Sequence, residues 1–346
     1  MRKDRDARRF AFLSALFSAR SAMAIILYGA GNSTNLTDPG NGAPWANVGR
    51  FSNAGGTSFT ASGIYVGNRY VLTADHVGVT THFTFDGLTL YEVDGTFAPT
   101  NVAPGVDLKM LRLAAAPALP RLSLYEGANE INQAATVIGC GVGRDTNTPP
   151  DTLSVPWGGT RTAAKRWGAN TPKGTEILTG GGYSYTSLVT VLGASQGADE
   201  AATTLYDSGS ALFQNIDGVW HLTGVATDVT TLNSSTFGED SLTSPTRGDL
   251  NSFARISSYS AEIAAIAYPP IPPPIIAGID ASTQQVDLAI ANLTPGTSNS
   301  IDHVASLTSG IWTSKASFVA TSLTTNRSEA TDAQVGAGFY RIRSAW

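Results

Sequence analysis

The sequence predicts a mostly β protein, and three observations support that class. Glycine, threonine, serine and alanine are abundant, whereas charged residues make up only 14% of the chain, well below the share usual in globular proteins. Short apolar or alternating runs recur with turn residues between them. Long helical patterns are few, and the 346 residues suffice for two or three compact units.

The predicted strands are short. Ile64-Tyr65-Val66 and Tyr70-Val71-Leu72 flank Gly67-Asn68-Arg69, which is a hairpin signal. Further strands are predicted over residues 107–113, 135–138, 220–226, 286–290, 311–313, 317–320 and 339–342. Residues 252–266 carry apolar side chains at three- and four-residue steps, so a helix is predicted there.

A proline-rich stretch marks the clearest domain boundary. Residues 269–274 favour extended polyproline II, which acts as a stiff spacer. We therefore predict a first β domain over residues 25–267, a linker over 268–276 and a small β-sandwich over 277–346. In Leu307-Thr308-Ser309-Gly310-Ile311-Trp312 and Gly338-Phe339-Tyr340-Arg341-Ile342, the last domain resembles the small β domains that end many bacterial exported proteins. Contact with a polysaccharide, contact with the cell surface and simple spacing stay open as its roles.

The N-terminus has the pattern of a signal peptide. A basic stretch over residues 1–9 precedes an apolar stretch over 10–17, and Ala22-Met23-Ala24 fits a signal-peptidase site. We predict a signal peptide over residues 1–24 and a secreted, periplasmic or cell-surface protein. A disordered basic tail is the alternative. No other segment has the roughly 18 apolar residues that span a membrane.

Charge and motifs argue against several other classes of function. The net charge of −5 gives no reason to expect nucleic acid as a partner. No glycine-rich phosphate loop and no Cys/His metal spacing occurs, so no cofactor or metal is predicted. Cys140, the only cysteine, lies in an apolar run and is expected to be buried. A secreted protein without disulfides fits a bacterial source better than an animal one.

Three residues stand in settings that suit acyl transfer by a serine. Such chemistry needs a hydroxyl nucleophile, a base that takes its proton and a carboxylate that orients the base. His76 follows an apolar strand, Asp107 opens another, and Ser208 lies between Asp207 and Gly209 in a predicted tight turn. Each of these settings taken alone has an ordinary structural explanation, so the combination carries the prediction.

The motifs around these residues resemble those of trypsin-like serine peptidases. Thr73-Ala74-Asp75-His76 resembles the Thr-Ala-x-His signature, and Asp207-Ser208-Gly209-Ser210 resembles the nucleophile loop. Residues 107–113 resemble the strand that carries the family's aspartate, and the order His, Asp, Ser is the family's order. Further matches, such as residues 44–48 and 222–227, extend the resemblance over about residues 25–266.

The resemblance implies two six-stranded β-barrels, with His76 and Asp107 from the first and Ser208 from the second. It implies an oxyanion hole formed by the backbone N–H groups of Tyr206 and Ser208. Further roles follow from it as well: Asp207 and Gly209 would support the nucleophile loop, and Ala202, Thr227, Asp228 and Val229 would bind the substrate side chain. The Thr227 hydroxyl falls where the family often has a serine that hydrogen-bonds the triad aspartate.

Two departures from the family pattern bear on activity. Tyr206 stands where the family has glycine, and a positive φ there would strain it by about 1–3 kcal/mol. Ala202 falls near the position that sets a preference for basic side chains, so a neutral, apolar or small side chain is expected instead. The main prediction is a serine endopeptidase that acts on polypeptides through an acyl-enzyme. The alternative is a catalytically impaired trypsin-like fold that serves as a secreted protein- or surface-binding module.

Asp207 has a second implied role in the family, where it pairs with an α-ammonium freed by processing. Cleavage after Ala24 would expose Ile25-Ile26, which resembles the family's processed N-terminus. The alternative is that Asp207 simply accepts backbone N–H bonds.

Overall fold

The structure is a computed structural model, and it divides into two compact units, Met1–Ala267 and Tyr268–Trp346. It describes residues 25–29, 33–78, 80–145, 154–160, 163–231, 233–269, 274–281, 285–293, 298–304, 308, 311–322, 324–330 and 339–345. The predicted signal peptide, residues 1–24, lies outside the described residues, as does part of the predicted linker.

The first barrel follows the short strand β1 (Ile26–Leu27). Its strands are β2 (Val48–Ser52), β3 (Phe59–Gly67), β4 (Tyr70–Thr73), β5 (His82–Thr84), β6 (Tyr91–Glu92), β7 (Thr100–Asn101) and β8 (Lys109–Arg112). They form one antiparallel sheet in the order β6-β5-β2-β3-β4-β8-β7. A bridge between Val93 and Leu113 joins the ends of β6 and β8, which closes six strands into a barrel around Phe51, Val71 and Phe83.

Further strands follow in this unit, and most of them form the second sheet. These are β9 (Ser123–Leu124), β10 (Ala135–Gly139), β11 (Ser154–Pro156), β12 (Arg166–Asn170), β13 (Gly174–Gly180), β14 (Tyr183–Val191), β15 (Ala201–Ala202), β16 (Ala211–Ile216), β17 (Val219–Val229), β18 (Ser234–Thr236) and β19 (Leu250–Arg255). Within the described residues, eight of them form the second sheet, in the order β12-β10-β16-β17-β19-β14-β13 with β9 paired to β17. This is two strands more than the resemblance implies. β11 pairs with β18 and β15 with β1 in two small separate sheets. Val137, Leu188 and Leu212 lie in its core.

The predicted hairpin at residues 64–72 is present as β3 and β4. Its turn residues Asn68 and Arg69 both have positive φ, 46° and 72°. That pair of values is typical of the type I′ turns that match the twist of a two-stranded hairpin.

The helix predicted over residues 252–266 is wrong in its first half. Residues 250–255 form β19, which pairs with both β14 and β17, and the helix α1 (Ser260–Ala267) follows a 3-10 turn at Ile256–Ser258. Phe253 and Ala254 are buried on opposite faces of a central strand. An apolar run that is covered on both faces gives no alternation, so its spacing resembled a helical one by coincidence.

The second unit consists of two three-stranded antiparallel sheets. Its strands are β20 (Ile275–Ala281), β21 (Gln285–Ala291), β22 (Ser298–Val304), β23 (Thr313–Val319), β24 (Thr325–Ala330) and β25 (Phe339–Ala345). The sheet orders are β20-β21-β24 and β23-β22-β25, and Leu288, Ile290 and Ile301 from the two sheets share one core. The predicted strand over residues 311–313 begins only at Thr313.

The all-β prediction is confirmed. Within the described ranges, no helix is long and apolar enough to cross a membrane.

Candidate active site

His76 lies on the turn that follows β4, where it faces Asp107 from the turn before β8. Its backbone N–H donates to Asp107 Oδ1 at 2.9 Å, and its ring Nδ1 lies 2.7 Å from Asp107 Oδ2. The Asp107 side chain is fully buried and that of His76 is 9% exposed. Both carboxylate oxygens therefore hold this one residue, which fixes the ring and makes Nδ1 the protonated nitrogen.

Ser208 lies on the turn before β16, and its Oγ is 2.8 Å from His76 Nε2. Gly209 makes this turn possible. Its φ is +87°, and a Cβ there would lie 2.2 Å from both the Ser62 carbonyl oxygen and Thr73 Oγ1. The structure thus brings together the three residues that the sequence singled out, in an order that suits proton transfer from Ser208 to His76.

Tyr206 adopts the strained conformation that its position suggested, with φ of +78°. Hydrogen bonds hold its backbone on both sides: the Leu205 carbonyl accepts from the Val142 N–H at 3.1 Å, and the Tyr206 carbonyl accepts from Ser62 Oγ at 3.0 Å. Because a trans peptide directs its N–H opposite to its carbonyl, the Tyr206 N–H points away from Val142. Within the part of the chain that the structure describes, neither this N–H nor that of Ser208 has a protein acceptor.

Asp207 is completely buried beside the nucleophile. Its Oδ1 lies 3.5 Å from Ser62 Oγ, and Oδ2 accepts no hydrogen bond from the described residues. Burial raises its pKa well above the ordinary value, while Arg166 and the N–H groups of Cys140 and Gly141 act in the opposite direction. The Ile25 side chain is also buried, at 1% exposed, and whether its α-ammonium pairs with Asp207 stays a prediction.

A small pocket opens next to Ser208. It has room for about one water molecule. Its lining residues are Thr203, Asp207, Ser208, Ala226, Thr227, Asp228 and Val229. Three of the four residues predicted to bind the substrate side chain are therefore brought together here.

Ala202 does not line this pocket. Its side chain belongs to a core cluster with Ile26 and Leu192, because consecutive residues of an extended chain face opposite sides. Thr203, the next residue, faces the pocket instead.

The expected contact of Thr227 with Asp107 is also not formed. The Thr227 hydroxyl donates to the Ser252 carbonyl at 3.3 Å, which ties β17 to the neighbouring strand β19.

Lys109 is a site residue that the motifs did not reveal. Its buried ammonium donates to the carbonyl of Asp75 at 2.6 Å and to the carbonyl of Val77, so it holds the backbone on both sides of His76. Burial lowers its pKa, and the carboxylates of Asp75 and Asp107 act in the opposite direction. The available signal was a charged residue in an apolar strand, two positions after Asp107 and hence on the same face.

The second sheet also reaches this turn through Tyr183. The Tyr183 hydroxyl donates to Asp75 Oδ2 at 2.9 Å, and Asn101 Nδ2 donates to the same oxygen at 3.1 Å. The turn that carries His76 is thus held from both sheets.

The strain at Tyr206 gives a stability prediction. A non-glycine residue with left-handed φ costs roughly 1–2 kcal/mol, whereas glycine loses about 0.5–1 kcal/mol through its freedom in the unfolded chain. We expect Tyr206→Gly to be more stable than Tyr206→Ala by about 1 kcal/mol. Denaturant unfolding of the two variants measures this difference, and an alanine variant as stable as the glycine variant would contradict a strained Tyr206.

The comparisons with known proteins give a likeness of fold. No protein-family model matches the sequence, and no curated protein matches it. The NS6 protease of murine norovirus 1 is similar at 17% identity over 64% of this chain and 93% of that chain, with a TM-score of 0.35. An inactive mutant form of Rv3671c from M. tuberculosis is similar at 14% identity over 70% and 98%, with a TM-score of 0.42. Residues 25–267 pair a closed antiparallel barrel that carries His76 and Asp107 with a second sheet that carries Ser208, as the fold prediction for this part of the chain expected.

Proposed function

We propose that this protein is a serine endopeptidase that hydrolyses peptide bonds through an acyl-enzyme. The observation that carries the proposal is the hydrogen-bonded series Ser208 Oγ, His76 Nε2, His76 Nδ1 and Asp107 Oδ2, with distances of 2.8 and 2.7 Å. The polypeptide is the substrate, and neither metal nor cofactor enters the mechanism.

The geometry supports the following reaction. Ser208 Oγ attacks the carbonyl carbon of the scissile bond as its proton passes to His76 Nε2, and Asp107 stabilises the imidazolium that forms. His76 then gives that proton to the leaving amine, the C–N bond breaks, and an ester to Ser208 remains. A water molecule, deprotonated by His76, attacks the ester; the peptide acid leaves, and the proton returns to Ser208.

The oxyanion formed in each attack needs hydrogen-bond donors. The N–H groups of Tyr206 and Ser208 flank the nucleophile and have no protein acceptor within the described ranges, so they are the donors we propose. The loss of one such donor typically slows acyl transfer by about 10²–10³. The position of the strained Tyr206 backbone thus decides between an efficient peptidase and a slow one.

The N-terminus and the second unit add two further parts of this proposal. We propose export of the protein from a bacterial cell, on the signal-peptide pattern of residues 1–24. We also propose that the second unit, residues 268–346, contacts a polysaccharide or the cell surface.

A fluorophosphonate or sulfonyl fluoride probe tests the proposed reaction. We expect it to label Ser208 of the full chain, because His76 activates this hydroxyl, and we expect His76→Ala to abolish labelling. The read-out is mass spectrometry of the labelled peptide.

Ser210→Ala provides the matched control. Ser210 is a buried neighbour whose hydroxyl lacks a hydrogen-bond partner among the described residues, so this variant should label like the wild type. Absence of labelling in wild-type protein with a native circular dichroism spectrum would overturn the peptidase proposal. It would favour the catalytically impaired binding module instead.

The small pocket predicts the residue after which cleavage occurs. Because it has room for about one water molecule, we expect alanine or serine at this substrate position to be preferred over phenylalanine, lysine or arginine by about tenfold or more. A peptide-library cleavage profile measures the preference. Val229→Gly removes a lining side chain, so this variant should also accept larger apolar residues at this substrate position. A wild-type preference for lysine or arginine would contradict the prediction.

Lys109 predicts a change in the rate of labelling. The two carbonyls beside His76 lose their donor in Lys109→Met, so the ring is held less firmly. We expect the maximal rate of Ser208 labelling to fall by about tenfold or more.

Lys109→Arg is the matched variant. It keeps a hydrogen-bond donor but changes its reach, so its labelling rate should fall less than that of Lys109→Met. Labelling of properly folded Lys109→Met at the wild-type rate would contradict a positioning role of Lys109.

A further inference from the structure

A second cavity lies in the first unit and shares no lining residue with the pocket beside Ser208. Its volume is about 540 Å³, which is within the range of small-molecule sites. Its lining residues are Leu36, Thr37, Asp38, Trp45, Arg50, Thr84, Phe85, Asp86, Gly87, Cys140, Ala163, Ala164 and Lys165. The cavity combines apolar walls with two cations, and those cations are its distinctive feature.

Arg50 of β2 lines this cavity, and its guanidinium forms no hydrogen bond or ion pair within the described part of the chain. The guanidinium lies over the Phe59 ring, with 3.4 Å between Cζ and the ring centroid. Burial lowers its pKa. It packs so closely against Gly87 that a Cβ there would come within 3.0 Å of Nη2. Packing against Phe59 and Gly87 therefore holds the guanidinium at the cavity wall.

Lys165 brings the second cation to the same cavity. Its Nζ lies 4.4 Å from the centroid of the Trp45 ring, and the only hydrogen bond it makes to a described residue is a long one, 3.4 Å, to the Phe85 carbonyl. Burial lowers its pKa to about 8. Both cations line the cavity together with Cys140.

The carboxylates at the cavity do not neutralise these cations by direct contact. Asp38 and Asp86 are exposed, and neither forms an ion pair with Arg50 or Lys165 among the described residues. Asp86 accepts from the N–H groups of Leu88 and Thr89 and from two threonine hydroxyls of its own turn. Two partly buried cations without a paired anion are costly to fold, and an anionic ligand would remove that cost.

We propose that this cavity binds a small organic carboxylate between Arg50 and Lys165. The planar fork of a guanidinium matches a carboxylate with two parallel hydrogen bonds, and the Lys165 ammonium adds a third donor. The side chains of Leu36, Trp45 and Phe85 suit an apolar body attached to that carboxylate. The site is a binding site distinct from the proposed peptidase centre and does not depend on it.

Calorimetric titration of the full chain with benzoate tests the proposal, with benzamide as the matched neutral probe. We expect benzoate to bind at least about tenfold more tightly than benzamide, because hydrogen bonds to charged groups are the stronger ones. Arg50→Met and Lys165→Met should each weaken benzoate binding by about tenfold or more. Arg121→Met, which removes an exposed cation outside the cavity, should leave the affinity unchanged.

The pH dependence of binding provides an independent check through Lys165. The titratable groups that act on it are the Asp38 and Asp86 carboxylates and the Cys140 thiol, and Arg50 lines the same cavity. Burial raises the pKa of the Cys140 thiol to about 11, so this thiol stays neutral near pH 8. As pH rises through the pKa of about 8, Lys165 loses its proton and benzoate affinity should fall. Lys165→Arg should still bind benzoate, and its affinity should not fall over this pH range, because arginine stays charged.

Equal affinities for benzoate and benzamide would overturn the proposal, as would wild-type affinity in properly folded Lys165→Met. Since Lys165 makes one long hydrogen bond to the described residues, this variant is expected to fold, and near-UV circular dichroism verifies that. The measurement records binding rather than turnover, so its result is separate from that of Ser208 labelling.

Discussion

Ser62 of β3 joins the two sheets to the loop that carries the nucleophile. Its Oγ accepts from the Cys140 N–H and donates to the Tyr206 carbonyl, both at 3.0 Å, while its N–H donates to the Ser208 carbonyl at 3.0 Å. Its own carbonyl accepts from Thr73 Oγ1 at 2.8 Å. This one fully buried residue therefore sets the distance between the strand before His76 and the loop with Ser208, and the spacing of the reacting groups depends on it.

The same hydrogen bonds explain how the Tyr206 backbone keeps a strained conformation. A left-handed tyrosine costs about 1–3 kcal/mol, and a typical hydrogen bond contributes about 1 kcal/mol. The bonds to the Leu205 and Tyr206 carbonyls together contribute about 2 kcal/mol, which is similar in size to that cost. The Leu205 carbonyl shares its peptide plane with the Tyr206 N–H. The Asp207 carbonyl, which accepts from the Ser210 N–H at 2.7 Å, shares its plane with the Ser208 N–H. The directions of both N–H groups are therefore set before any substrate arrives, which is the condition for electrostatic preorganisation.

The sequence made His76, Asp107 and Ser208 recognisable because each lies in a local motif of a few residues, and the positive φ of Tyr206 followed from a position that normally holds glycine. Ser62 and Lys109 were not recognisable in their roles. Their contacts join β3 to residue 206 and β8 to residue 77, and such pairings arise only when the barrel closes. The prediction that Ala202 binds the substrate side chain is wrong for a different reason. In an extended chain, a shift of one residue reverses the side that a side chain faces, so Thr203 lines the pocket instead.

The predicted pairing of Asp207 with a processed N-terminus would link that N-terminus to the nucleophile loop. Burial raises the pKa of the Asp207 carboxyl, so the folded chain holds that proton more tightly than the unfolded chain does, and stability falls as pH rises through the folded-state pKa. A positive group brought to Oδ2 would favour the carboxylate and lower that pKa. β1 pairs Ile26 with Ala202, five residues before Asp207, so an α-ammonium freed at Ile25 would enter from a strand already paired beside this loop. Once cleavage has freed that α-ammonium, its insertion and the ionisation of Asp207 would each favour the other.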